Sequence, residues 1–325
     1  AAGTAKTRSG LPSMTRAQDT GTPARFSGIL APVVTPFNRD LSPNAGRLVE
    51  HCRWLLSKKV GLAVFGTNSE ANSMSVGEKI ALLDRLVDAG LQTARMMPGT
   101  GACALTDTVE LTRHAVAAGC GGVLMLPPFY YKSVNDNGLF RYIAEVIERT
   151  GSDRLRIYLY HIPPVAQVGF STSLIEKLVR EYPQTIAGIK DSSGDWNNTR
   201  AVLDLQLDDF RVFAGSESFL LQNMRAGGAG CISAVANISP AAIHQLYAGW
   251  QSAEADSLQQ RLNELRQLLM RYPMIPALKA VIARYSQEVE WAIVRPPFEA
   301  LEGEPYRSLV GTLEKMGFSM PGLRD

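Results

Sequence analysis

From residue 28 onward, short apolar runs bounded by glycine or proline alternate with longer stretches of helical period, the pattern of parallel strands joined by crossover helices. Apolar runs at 29–34, 61–65, 95–98, 122–126, 156–160, 186–189, 211–214 and 230–233 predict strands. Stretches at 45–58, 76–89, 106–118, 137–149, 173–181, 197–205, 218–225 and 240–251 predict the helices between them. An open doubly wound sheet uses the same alternation, but no Gly-x-Gly-x-x-Gly follows the first run, and the regular count favours an α/β fold closed into a (β/α)8 TIM barrel over residues 26–252.

Helical periodicity resumes at 253–271, 277–284 and 305–316, separated by breaks that contain proline. It predicts a C-terminal helical extension over 253–325 that packs on the barrel flank or helps to build an oligomer contact. Residues 1–25 carry no such period and read as a disordered N-terminal tail. Their arginines and hydroxyl residues, with Asp19 as the single acid, also suit an organelle transit segment, although no amphipathic helix is evident.

Composition narrows the partners. Hydrophobic residues make up 46% and charged residues 20% of the 325, and the formal net charge is +2. That balance gives no electrostatic footprint for nucleic acid or an acidic membrane, and leaves a small molecule as the expected partner. No apolar run approaches the roughly 20 residues that span a bilayer. Cys52, Cys103, Cys120 and Cys231 form no Cys-x-x-Cys pair, which fits a reduced, cytoplasmic setting. His51, His114, His161 and His244 show no ligand spacing, so no metal site and no cofactor are assigned.

In a parallel barrel, chemistry sits where the strands end. Lys190 ends the run Thr185-Ile-Ala-Gly-Ile-Lys190. Burial disfavours an ammonium ion, and a lysine amine relieved of its charge can attack a ketone; the alternative is a lysine that snorkels out of a strand end. Tyr160 ends the fifth run. By period two it shares a face with Tyr158, so one of the pair can pack while the other relays protons. The turn Gly66-Thr67-Asn68-Ser69 offers a hydroxyl, an amide and backbone N–H groups to a carboxylate, or else simply caps the next helix. The stretch Gly227-Gly-Ala-Gly-Cys-Ile-Ser233 permits close backbone approach before the last strand, which tight turn geometry explains equally well.

Taken in order, Val33-Val-Thr-Pro-Phe37, Gly66-Thr-Asn-Ser-Glu70, Pro98-Gly-Thr-Gly101, Pro127-Pro-Phe-Tyr130, Tyr160-His-Ile-Pro163, Gly188-Ile-Lys-Asp191 and Gly230-Cys-Ile-Ser233 resemble the pyruvate-dependent class I aldolases, the family of dihydrodipicolinate synthase and N-acetylneuraminate lyase. The resemblance spans nearly all of residues 26–318. It implies that Lys190 forms a Schiff base with pyruvate or another 2-oxo acid, that Tyr160 shuttles protons, and that Thr67 with the Asn68 backbone and Gly66 holds the substrate carboxylate. It further implies that Tyr130 crosses a dimer interface into the neighbouring site, with the register of Phe129-Tyr130-Tyr131 open by one, and that Gly215 and Ile232 line the pocket of a homotetramer built as a dimer of dimers.

The departures bear on the second substrate. Val165 stands where dihydrodipicolinate synthases carry an arginine that grips the carboxylate of the incoming aldehyde, so the bidentate hold is lost. Asn68 and Ser69 replace the family's usual Thr and Gly. The resemblance with these changes implies a lyase with a partner other than aspartate semialdehyde, such as a keto-deoxy sugar acid or a hydroxy-oxo acid. True dihydrodipicolinate synthase, a dehydratase or deaminase using the same imine, and a non-catalytic 2-oxo-acid-binding paralogue are the alternatives.

Overall fold

The computed structural model describes residues 22–324. Most of the tail expected over 1–25 therefore lies outside the described residues. Arg25 is firmly placed: its guanidinium donates to the carbonyls of Asp209 (2.7 Å) and Pro183 (2.8 Å) across the base of the barrel.

Seven parallel strands form one sheet: β1 Gly28–Ala31, β2 Gly61–Leu62, β3 Val123–Met125, β4 Ile157–His161, β5 Ile186–Asp191, β6 Arg211–Ala214 and β7 Gly230–Ile232, in the order β2-β1-β7-β6-β5-β4-β3. The expected third run, 95–98, is the stave that joins the two edges. Met97 N–H donates to the Leu62 carbonyl at 2.8 Å and Leu124 N–H to the Pro98 carbonyl at 2.9 Å, with parallel bridges Leu62 to Met96 and Gly99 to Leu124. Pro98 has no N–H to give, which removes one ladder bond on the β3 side of this stave. Closure into a TIM barrel follows.

The helices are α1 Ala45–Ser57, α2 Val76–Asp88, α3 Leu105–Ala117, α4 Asp136–Thr150, α5 Pro163–Ala166, α6 Thr172–Glu181, α7 Trp196–Leu203, α8 Leu220–Arg225, α9 Pro240–Ala248, α10 Ala255–Leu269, α11 Met274–Ser286 and α12 Gly303–Lys315. Local chemistry starts five of them. Asn44, Ser75, Asn135, Ser171 and Asp195 each accept a backbone N–H from the first turn of the helix they precede, and Glu78 completes a capping box with Ser75. The four-residue α5 is absent from the sequence reading, because Pro163-Pro164 marks a turn and equally suits the first turn of a helix.

Two apolar layers result from the alternation of side chains along each strand. Outward residues such as Ile29, Ile157, Leu159, Ile189, Val212 and Cys231 meet the buried helix faces. Inward residues Leu30, Ala63, Met97, Leu124, Tyr158, Phe213 and Ile232 fill the barrel, with Phe26 closing its floor. Each fully buried aliphatic or aromatic side chain contributes about 1.5–3 kcal/mol, so the filled interior is a rigid platform for the strand ends above it.

The C-terminal helices are not independent of this platform. α10 lies against α8 and α9, and α11 reaches the turn after β2. Trp54 Nε1–H donates to the Pro321 carbonyl at 2.9 Å, fastening the chain end to α1.

Candidate active site

Strand register brings the predicted residues to one mouth. Lys190 on β5 pairs with Tyr160 on β4 and with Phe213 on β6, so all three point into the barrel. Lys190 is 3% exposed, and its Nζ lies 4.3 Å from the centroid of the Tyr160 ring. The Tyr160 hydroxyl is in turn 3.0 Å from Thr67 Oγ1. An amine, a phenol and an aliphatic hydroxyl thus lie side by side, the two hydroxyls in hydrogen-bond contact and the amine against the phenol ring.

Beside it, Thr67–Ser69 is a short 3-10 turn with Gly66 as its first cap. Ser69 is fully buried; its Oγ accepts the Gly66 N–H at 3.1 Å, and its carbonyl accepts Thr35 Oγ1 at 2.7 Å. The serine replacing the family's usual glycine therefore closes the turn internally. The opening N–H groups of Thr67 and Asn68 have no acceptor within such a turn and are the donors suited to an anion. Non-glycine residues in left-handed conformation bracket it, Phe65 at φ 61° and Glu70 at φ 57°.

Further around the mouth, Asp191 is buried and saturated with donors: Thr199 Oγ1 at 2.6 Å, Ser193 N at 2.9 Å and Asn198 Nδ2 at 3.1 Å. That locks the segment directly after Lys190. Gly215 is held by its N–H to the Asp191 carbonyl at 2.8 Å, and an added Cβ there would sit 2.1 Å from Ser192 Oγ, so the β6 end approaches as close as it does only without a side chain. His161 accepts the Phe170 N–H on Nδ1 at 3.0 Å, and burial pushes its pKa down against the opposing pull of Asp191. Ile232 lies inside the barrel. Next to it, Ser233 Oγ donates to Glu217, a fully buried carboxylate that also pairs with Arg266 at 3.3 Å.

Two predicted residues stand apart. Tyr130 is 73% exposed beyond β3, and its ring contact is with Tyr131, centroids 5.4 Å apart. Val165, on α5, is 63% exposed and presents no hydrogen-bonding group at the rim. Conversely, Glu70 and Lys279 form a fully buried ion pair at 2.5 Å that the sequence reading did not single out. A signal was present: Lys279 is the one charged residue in the apolar run Ile275-Pro-Ala-Leu-Lys-Ala-Val-Ile-Ala283, the same kind of signal that marks Lys190. Among the described residues no group of three or more His, Cys, Asp or Glu side chains is arranged to hold a metal ion, and no helix is long and apolar enough to cross a membrane.

A closed parallel barrel with a buried lysine, a tyrosine and a threonine at the carboxyl ends of its strands belongs to the class of barrel lyases. Specifically, the chain belongs to the Dihydrodipicolinate synthetase family, whose pattern matches residues 25–316. An uncharacterized DapA-like lyase of Chloroflexus aurantiacus is 32% identical over 292 residues, 89% of this chain and 96% of the relative. Dihydrodipicolinate synthase from Agrobacterium tumefaciens str. C58 superposes with a TM-score of 0.81 at 30% identity, covering 89% of this chain and 98% of that one. YagE, a prophage protein of E. coli K12 solved in complex with pyruvate, gives a TM-score of 0.84 at 25% identity over 91% and 100% of the two chains. The protein is a lyase of this family.

Proposed function

We propose that the chain is a Schiff-base-forming aldolase that takes pyruvate or another 2-oxo acid as an imine on Lys190, with a second substrate other than aspartate semialdehyde. The observation that carries this reading is the Lys190 amine, buried at a strand end 4.3 Å from the Tyr160 ring whose hydroxyl meets Thr67. Pyruvate bound to YagE, a structural relative at 25% identity, supports it.

The chemistry follows from the geometry. The Nζ lone pair adds to the C2 carbonyl; one proton from the nitrogen and one from the Tyr160 hydroxyl reach the oxygen, with Thr67 as the relay, and leave Tyr160 as the phenolate. Loss of water leaves a cationic imine that draws electrons from the adjacent bonds. In the cleavage direction the C3–C4 bond breaks: its electron pair flows into the imine to form an enamine, while the C4 hydroxyl proton goes to the phenolate form of Tyr160 and the aldehyde departs. Protonation at C3 and attack of water on the imine release the 2-oxo acid. The N–H groups of Thr67 and Asn68, with Gly66 allowing close approach, hold the carboxylate throughout. Gly215 and Ile232 shape the far wall. Tyr130 of a second copy completes the relay in a homotetramer, which agrees with its exposure on this chain.

Val165 argues for the choice of partner. An aldehyde that carries a carboxylate needs a cation at that rim position, whereas a hydroxylated or neutral aldehyde does not. The name of the Agrobacterium tumefaciens relative favours a second reading, dihydrodipicolinate synthase itself. A screen of 2-oxo acids against aldehydes, read as consumption or release of pyruvate, separates them. Turnover is expected with a keto-deoxy sugar acid or hydroxy-oxo acid, and none in the Lys190→Ala variant. Ordinary turnover of pyruvate with aspartate semialdehyde establishes the second reading, and turnover that survives Lys190→Ala contradicts both.

A further inference from the structure

The turn that faces Lys190 is held by a residue more than two hundred positions away. Glu70 closes the turn in the left-handed region, at φ 57° and ψ 33°, a conformation that costs a non-glycine residue about 1–2 kcal/mol. Such a conformation persists only where the surroundings over-determine it. Here they do so through the carboxylate: Oε2 accepts Lys279 Nζ at 2.5 Å, and Oε1 accepts the Arg295 N–H at 2.9 Å. Lys279 is itself fixed by a second bond, to the Ile293 carbonyl at 2.8 Å, and by the Phe37 ring, whose centroid lies 4.4 Å from Nζ. The Arg295 guanidinium packs on the same ring at 4.8 Å and clasps Glu78. All of these anchors on the far side belong to the C-terminal extension; those on the near side belong to the loop after β1, the turn itself and α2.

A buried ion pair is a poor way to gain stability, because the desolvation of two charges offsets their attraction. It is a good way to fix a geometry. We infer that Lys279 and Glu70 are positioning residues: through them α11 sets the conformation of Gly66–Glu70, and hence the aim of the Thr67 and Asn68 N–H groups at the substrate carboxylate. This rests on the proposed carboxylate role of that turn. The C-terminal extension is thereby part of the site without touching substrate.

The test uses the full-length protein in two variants. Lys279→Met alone strands a buried carboxylate and risks unfolding, so it is paired with Glu70→Gln, whose amide oxygen still accepts the Arg295 N–H. In the folded Glu70→Gln/Lys279→Met protein, backbone amides of residues 66–71 are expected to exchange faster while those of the β4 and β5 strands do not. The KM for pyruvate is expected to rise about tenfold or more, with kcat changed by less than about threefold. Glu70→Gln alone, whose single amide oxygen serves Arg295 while its NH2 faces the Lys279 ammonium, is expected to raise the KM at least as far as the double variant does. Unchanged exchange across 66–71 overturns the inference, as does faster exchange with an unchanged KM. Failure of the aldolase reading is distinguishable, because it shows in the unaltered protein as the absence of a reducible imine with pyruvate.

Discussion

Tyr158 and Tyr160 project from one strand into one barrel, yet the floor and the mouth use the same side chain in opposite ways. At the floor, the Tyr158 ring packs edge-on against Phe26 and Phe213, and its hydroxyl accepts the Phe26 N–H at 2.8 Å. Burial raises its pKa to about 12, so it is a neutral fixture across the physiological range. At the mouth, the Tyr160 hydroxyl meets another hydroxyl at 3.0 Å, a partner that can give or take the proton, and the ring lies against an amine. Burial is nearly equal, 0% and 2% exposed. What separates the two is therefore the partner: a backbone N–H can only donate, whereas a threonine hydroxyl can pass protons both ways, as the proposed relay requires.

That contrast is open to direct attack. The largest expected effect is at the mouth: Tyr160→Phe keeps the packing but removes the relay, and kcat is expected to fall by about 10²–10⁴-fold with the urea midpoint little changed. A loss of stability with activity retained would reverse the roles assigned to the two tyrosines.

A second test extends the comparison to His51, which is buried like Tyr158 but hydrogen-bonded through one ring nitrogen, its Nδ1 having no partner. Its Nε2 faces Asn237 Oδ1 at 3.2 Å, and since that oxygen also accepts the Val34 N–H, Nε2 carries a proton. Burial lowers its pKa to about 4 from the usual 6.5. A histidine depressed in the folded state stabilises fully above the unfolded pKa and progressively less as pH falls from about 6.5 towards 4, a loss of about 3 kcal/mol by pH 4. Unfolding free energies at pH 7 and pH 4.5 are expected to differ by markedly less in His51→Gln than in the unaltered protein. Equal pH slopes would show that His51 is not held neutral.

The smallest effect is expected at the floor. Tyr158→Phe leaves the buried Phe26 N–H without an acceptor and should cost about 1–3 kcal/mol of stability while kcat stays within about twofold.

Why parts of this arrangement were legible in sequence, and others not, comes down to range. Lys190 ends an apolar run, and Tyr158 and Tyr160 obey the two-residue period of a strand, so neighbouring residues reveal them. The barrel count was legible for the same reason. Strand lengths were less so: the run 61–65 leaves the ladder after Leu62 and ends in a left-handed Phe65, which no propensity rule demands of a phenylalanine. Glu70 and Lys279 lie 209 positions apart, and nothing near either one names the other. Tyr130 is exposed and its ring meets Tyr131, so the sequence could mark it only through family resemblance.

The central claim is that Lys190 forms an imine, and borohydride reduction tests it most directly. Incubation with pyruvate and borohydride, followed by mass spectrometry of the intact protein and its peptides, is expected to yield one stable adduct that maps to Lys190. Folded protein without an adduct, or an adduct on another lysine, would contradict the account.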